Sequence, residues 1–303
     1  NRLNSMISTD QLPVIIVGAG PCGLVAGLAL KQYGIPFIMI ERATRSKICS
    51  NAGSGFELAP ISIDILRDRL GIDIAKFMSQ YGGMHMKSME GKLFREVAIP
   101  SDYEGGAVNR AEMQNALLEI LFPTPEDEEG ILLLGSGLET YREVVEEGVD
   151  GGRVVATLSS GEEISGCVLL ACDGIHSRCR AVLHGGYDSN QDWETNCKTG
   201  NEKDPLHFCN AMVYWGKTPA PRGSDLEVEF AKTQRLNGDD HTQVNMPLVG
   251  FPTLSAPSSM FIVPSQNGTM LNWAFFIYTK HQKFSKNNDG TDLTRRGGGP
   301  LTE

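Results

Sequence analysis

The chain opens with a short apolar run, a glycine-rich break and a helical pattern, and then repeats the theme. Residues 12–17 (LPVIIV) are apolar and β-branched, which predicts a strand buried on both faces. Residues 21–33 carry small side chains at Gly23, Ala26, Gly27 and Ala29 and read as a helix stopped by Gly34. Residues 37–40 (FIMI) form a second buried strand, so the three elements predict a right-handed parallel crossover. Residues 61–70 predict a helix with Ile61, Ile65, Leu66 and Leu70 on its apolar face.

Residues 84–99 alternate around Glu90-Gly91 as a hairpin that leaves the first sheet. Residues 110–121 predict a helix with Met113, Leu117, Ile120 and Leu121 as its stripe, ended by Pro123 and Pro125, with 126–129 as a solvated loop. Residues 138–164 read as short antiparallel strands, and 167–172 (CVLLAC) as a third buried strand followed by Asp173-Gly174 and a short helix. Beyond 185 the texture changes. Residues 187–205 are polar and loop-like, 207–215 alternate as a strand, and 260–263 with 269–279 form a strand pair around Gln266-Asn267-Gly268.

Composition narrows the function classes. The 303 residues contain 27 Lys and Arg against 37 Asp and Glu, a net charge of -10, which argues against nucleic-acid or anionic-membrane partners. Mean hydropathy is -0.18, ample for a buried core. Seven cysteines without a CxxC pair read as reduced, mostly core thiols of a cytoplasmic protein. The uncharged stretch 12–30 is long enough to suggest a membrane span, but two prolines and four glycines favour a strand-turn-helix. An upstream targeting segment stays open, because the first residue is Asn1. Six scattered histidines predict no metal site.

The strongest chemical signal is Gly18-Ala-Gly20-Pro21-Cys22-Gly23, a GxGxxG set that follows a strand and opens a helix. Gly18 permits the tight turn, Gly20 lets a pyrophosphate approach the backbone, and Gly23 lets helix and strand pack closely. Glu41, 23 residues after Gly18, ends the second strand where a carboxylate accepts from ribose hydroxyls. Such an acid disfavours a 2′-phosphate, leaving FAD or NAD. Arg42 either lies along the adenine or is solvated.

Four ordered stretches then resemble the FAD-dependent aromatic-ring hydroxylases and epoxidases, whose fold is that of p-hydroxybenzoate hydroxylase. They are GAGPCGLVAGLAL with Glu41-Arg42, Gly53-Ser-Gly55 before LAP, Asn109-Arg110 opening a helix, and Cys172-Asp173-Gly174-Ile-His-Ser177-Arg-Cys-Arg180. The resemblance spans about 12–185. It implies a doubly wound α/β FAD domain (11–83 and 100–185) interleaved with a mostly antiparallel substrate sheet (hairpin 84–99, then 186–284). It also implies FAD as cofactor and NAD(P)H as transient electron donor. Dioxygen would add at flavin C4a, and the hydroperoxide would hydroxylate or epoxidise a small aromatic or alkene substrate. Another FAD oxidoreductase, a reductase or halogenase, and an inactive FAD-binding fragment are the alternatives.

On this reading Arg110 offers a forked cation to the pyrophosphate. Asp173 binds ribityl hydroxyls or a bridging water, or caps a helix, or does both. Gly53 and Gly55 let the backbone approach the flavin, and Gly174 belongs to the Asp-Gly turn. Tyr214, Trp215 and Trp273 are the candidate pocket aromatics, with sheet core as their other reading. The family's later Gly-Asp motif has no counterpart: Gly238-Asp239 stands in a polar run. The expectation is that the C-terminal FAD segment is missing, that 285–303 is a loop-like tail, and that these 303 residues alone do not sustain monooxygenation.

Overall fold

Val14–Val17 (VIIV) is β-branched and buried at every position and forms strand β1 of the computed structural model. The structure describes residues 12–50, 55–74, 77–87, 93–98, 100, 102–145, 152–184, 211–219, 244–252, 257–265 and 270–278. After β1 come α1 (Pro21–Gln32), β2 (Phe37–Glu41), α2 (Arg45–Ile48), β3 (Gly55–Leu58), α3 (Pro60–Asp64) and a π-helical turn, Ile65–Arg69. Next are β4 (Met78–Lys87), β5 (Leu93–Ala98), β6 (Gly106–Asn109), α4 (Arg110–Leu121), α5 (Pro125–Glu128) and β7 (Leu132–Leu134). They are followed by β8 (Leu138–Val144), β9 (Arg153–Leu158), β10 (Glu163–Gly166), β11 (Val168–Ala171) and α6 (Arg178–Leu183). The long strands β12 (Ala211–Pro219), β13 (Val244–Pro252), β14 (Pro257–Ser265) and β15 (Met270–Tyr278) complete the described elements.

β1 lies inside a four-stranded parallel sheet of order β11-β1-β2-β7. The pleat sends alternate side chains to opposite faces. Ile16 and Met39 meet Leu24, Leu117 and Leu121 of the helices on one face. Ile15, Val17, Ile38 and Ile40 meet Val154, Ala156, Leu158 and Ile164 on the other. That second face is covered by the antiparallel sheet β10-β9-β8, which makes three layers around the parallel strands. Gly27 lets α1 sit close, since a Cβ there would lie 3.0 Å from Leu121 and 3.1 Å from Met39.

A second, eight-stranded sheet carries β12-β15-β14-β13-β4-β6-β3, with β5 paired to β4. It is antiparallel except where β13 runs parallel to β4. β4 pairs with β6 at Met78–Gln80 and with β5 from Gly83 onward, so the strand of the expected hairpin starts earlier than residue 84. Its turn at Glu90-Gly91 lies outside the described residues, as do 185–210, the turn at 266–268 and the tail 285–303.

Several expectations are corrected. The helix predicted over 61–70 breaks into α3 and the π turn, where the Leu70 N–H donates to Ile65 O at 3.1 Å, five residues back. That extra residue rotates the apolar face: Ile63 and Leu66 are buried, whereas Ile61 and Ile65 are exposed. In α4 the buried stripe is Met113, Leu117, Leu118 and Leu121, and Ile120 is 41% exposed. The segment 126–129 contributes to α5, held by a reciprocal capping box between Thr124 and Asp127. Among the described residues β11 has only β1 as neighbour, and Val168 is 48% exposed. Among the five described cysteines only Cys179 is buried, because Cys22, Cys49 and Cys167 sit on short turns or element ends. Short β3, β6 and β7, and proline-containing β13, were not predicted.

The packing of α4 is checked by chemical denaturation. Leu117→Ala is expected to cost about 2–5 kcal/mol, the usual loss for emptying a fully buried leucine. Ile120→Ala is expected to change stability by about 0.5 kcal/mol or less, as for an exposed position.

Candidate cofactor-binding site

The site grows from the turn between β1 and α1. Gly18 has φ +104°, and a Cβ on it would lie 2.5 Å from Cys172 O and 3.1 Å from Asp173 Cα. Only glycine satisfies both the backbone and the space. A Cβ on Gly23 would collide with Gly18 O. Gly20 differs, because a Cβ there would meet nothing within 4 Å. This glycine presents an open side. Pro21 is the first residue of α1, where a missing N–H costs nothing, and Cys22 beside it is exposed. The first-turn N–H groups lack intrahelical acceptors and suit an anion.

Two side chains hold this turn. The Ala19 N–H donates to Glu41 Oε2 at 2.8 Å, while Glu41 Oε1 accepts from the Ala43 N–H at 2.7 Å. On the other side Gln114 Nε2 donates to Ala19 O at 2.7 Å. Gln114 Oε1 in turn accepts from the Arg110 guanidinium. Arg110 is half-buried, and that burial pulls its pKa below the ordinary arginine value.

Asp173 approaches from the end of β11. Its Oδ2 accepts from the Arg178 N–H at 2.6 Å and the Cys179 N–H at 3.1 Å, satisfying the first turn of α6. The N-cap itself is Ser177, which accepts from the Arg180 N–H at 2.9 Å. Asp173 Oδ1 is buried without a partner among the described residues. Gly174, with φ +79°, turns the chain away behind it.

α4 starts on the same side. Asn109 caps it by accepting from the Ala111 N–H at 3.0 Å, and pairs across the sheet with Gly55. Lys217 of β12 donates to the same Asn109 Oδ1 at 3.0 Å. Burial lowers the Lys217 pKa first, with the Arg110 charge acting the same way and Glu112 opposing.

The structure therefore gathers Gly18, Gly20, Pro21, Cys22, Gly23, Glu41, Asp173 and Gly174 around the end of β1. Arg110 is tied in through Gln114, and Gly55 lies across from Asn109. Gly53 is outside the described residues. Arg42 is exposed, with its Cβ 3.3 Å from where a Cβ on Gly137 would stand. The three aromatics are divided, and the sheet-core reading is corrected for two of them, since Tyr214 and Trp215 are about half-exposed. Trp215 shares the Lys217 face of β12, two residues along, whereas Tyr214 and Trp273 belong to the Gly216 face. Trp273 lies over Gly216, where any Cβ would collide with its ring. Gln114 and Lys217 are additions to the expected site, and Asn109, quoted with Arg110 at the helix start, gains a role as cap and lysine acceptor. A polar residue four positions after Arg110, within an apolar stripe, is the signal that marks Gln114.

The donor set fits a dinucleotide. Gly20 offers an open approach, Arg110 and the first turn of α1 suit phosphates, and Asp173 Oδ1 is a buried acceptor that suits a hydroxyl or water. A parallel sheet with this glycine turn and an acid ending the second strand is the mark of a dinucleotide-binding protein. The family described as an FAD binding domain matches residues 11–225. The chain belongs to that family, and its cofactor is FAD.

Among relatives, 3-hydroxybenzoate 6-hydroxylase 1 of Aquipseudomonas alcaligenes is 30% identical over 58% of this chain and 43% of its own length. The FAD-dependent monooxygenase nvfK of Aspergillus novofumigatus is 27% identical over 70% of this chain and 43% of its own. The chain thus spans well under half the length of these curated relatives. Of solved structures, CtdE in complex with FAD and a substrate is 18% identical, with TM-score 0.64, over 91% of this chain and 60% of that one. HpxO of Klebsiella pneumoniae, complexed with FAD and uric acid, is 17% identical, with TM-score 0.61, over 91% and 58%. The fold is the one the motifs implied, that of the p-hydroxybenzoate hydroxylase type. No helix among the described residues is long and apolar enough to cross a membrane.

Two glycine variants separate folding from binding. Gly20→Ala is expected to leave the apoprotein melting temperature within about 3 °C, because nothing obstructs the methyl, while weakening FAD by about 1–3 kcal/mol through the lost approach. Gly23→Ala is expected to destabilise the apoprotein itself by at least about 1–3 kcal/mol. Equal FAD affinity in Gly20→Ala and the wild type would place the pyrophosphate elsewhere.

Proposed function

We infer that this chain is the FAD-binding and substrate-sheet portion of a monooxygenase that uses NAD(P)H and dioxygen to hydroxylate or epoxidise a small, electron-rich organic molecule. The observation that carries this reading is the clamp on Ala19 by Glu41 and Gln114–Arg110, set in a family whose relatives are named FAD-dependent monooxygenases and hydroxylases. The FAD-binding unit comprises 11–83 with 100–185, and the substrate unit 84–99 with 186–284, β4 running across one of these boundaries.

Bound FAD supplies the redox chemistry, taking a hydride from NAD(P)H and activating dioxygen for transfer of one oxygen atom. The chain's own residues do the rest. Glu41 accepts from the adenosine ribose hydroxyls with the lone pairs left after holding Ala19 and Ala43. Arg110 and the first turn of α1 neutralise the pyrophosphate, and Asp173 Oδ1 accepts from a ribityl hydroxyl or an intervening water. Trp215 is assigned to substrate contact, a reading supported by its sharing the β12 face of Lys217, which bonds Asn109. Tyr214 and Trp273 lie on the other face, where Trp273 covers Gly216 and Tyr214 is half-exposed.

The decisive experiment measures NAD(P)H oxidation with candidate phenols and alkenes under labelled dioxygen. One labelled oxygen atom per product molecule is expected, and substrate-stimulated oxidation without incorporation would point to a reductase instead. Trp215→Ala is expected to retain FAD while changing substrate preference or diverting reducing equivalents to hydrogen peroxide. Tyr214→Ala is expected to leave substrate preference intact and to move the melting temperature little, since Tyr214 is half-exposed. The reverse pattern would assign the pocket to the other face of β12.

A further inference from the structure

Asn109 and Gln114 are the buried polar residues of the described chain, one the N-cap of α4 and the other five residues on in its second turn. Gln114 spends both ends of its amide, on Arg110 and on Ala19. Asn109, only 1% exposed, spends one. Its Oδ1 accepts twice, from the Ala111 N–H and from the Lys217 ammonium, each at 3.0 Å. Its Nδ2 is buried and meets no acceptor among the described residues. Turning the amide over would set its NH2 against two donors, so the assignment of oxygen and nitrogen follows from the chemistry. The cross-strand partner is Gly55, which has no side chain to offer an acceptor.

A buried donor without an acceptor is costly and rare in a folded chain. Here it stands next to Arg110, at a helix start already joined to the glycine turn through Gln114 and Ala19. The lysine that fixes the amide comes from β12, 108 residues along the chain. We propose that Asn109 is a cofactor-binding residue whose Nδ2 donates to an acceptor oxygen of bound FAD, and that Lys217 is the positioning residue that holds the amide in the required orientation. The proposal rests on the FAD reading of the site and adds to it a donor outside the glycine turn, the acidic strand end and the Asp-Gly turn. It also makes cofactor affinity depend on the large sheet, because Lys217 belongs to its edge strand.

The test is titration of FAD against the full 303-residue apoprotein, read by flavin fluorescence quenching, with the apoprotein melting temperature measured alongside. Asn109→Ser keeps a good neutral cap but removes the NH2. It is expected to raise the FAD Kd about 10- to 100-fold while the melting temperature moves by no more than about 3 °C. Asn109→Asp keeps the cap and pairs with Lys217, yet has no donor, so its affinity is expected to be no better than that of the serine variant. Lys217→Met leaves the donor but not its orientation, and about 3- to 10-fold weaker binding is expected.

Wild-type affinity in Asn109→Ser overturns the proposal, since the amide NH2 would then have no ligand or only water. Recovery in Asn109→Asp also overturns it, because an acceptor for the cap and for Lys217 would then suffice. Wild-type affinity in Lys217→Met removes the positioning role. A wild-type chain that binds no FAD fails one step earlier, at the reading of the site, and takes the proposal with it.

Discussion

The peptide unit of Ala19 is the point on which the rest of the site depends. Its N–H is held by Glu41 from the end of β2, and its carbonyl by Gln114 from α4. A turn between a strand and a helix has backbone groups that neither element can satisfy, and buried ones must be paired. Ala19 is fully buried, so its two partners are structural necessities before any ligand arrives. Once they are in place, β1, β2 and α4 share one geometry. Gly18 and Gly23 then leave no slack, one against Cys172–Asp173 and the other against Gly18 O.

That constraint explains why a site can be built on strands of four and five residues. β1 is bonded on both edges and covered on both faces, by helices on one side and by β8–β10 on the other. Its end cannot shift without breaking the contact with Asp173 at β11 or the bonds to Glu41 at β2. Glu41 thus holds Ala19 and Ala43 at once, and a carboxylate with four lone-pair sites keeps acceptor capacity beyond these two bonds. Asp173 is divided in a similar way: one oxygen serves the first turn of α6, and the other is buried without a partner among the described residues.

The eight-stranded sheet reaches this centre twice. β6 leads directly into α4, so the sheet places Arg110 by covalent continuity. β12, at the other end of the strand order, returns to the same helix start through Lys217. The Lys217 bond shows which face of β12 looks toward the start of α4. Trp215 follows Lys217 there, and Tyr214, one residue earlier, cannot.

Where information was local, the sequence determined the outcome. GAGPCG between an apolar run and a helix, an acid ending FIMIE, and the helix RAEMQNALLEIL each carry their signal within about a dozen residues, and each lies where it was expected. The order of four motifs determined the family. Tertiary structure decided what depends on partners distant in the chain. Ile120 and Leu118 are equally apolar, and only the packing of α4 exposes one and buries the other. β3 and β6 contain glycine and are strands because they pair with each other. β13 holds two prolines that argue against a strand, yet it joins β4 and β14. The role of Gln114 needed Ala19, 95 residues away, and that of Lys217 needed Asn109, 108 residues away. A hydrogen bond has a reach of about 3 Å in space and none along the sequence, so such pairs exist only once the chain has folded.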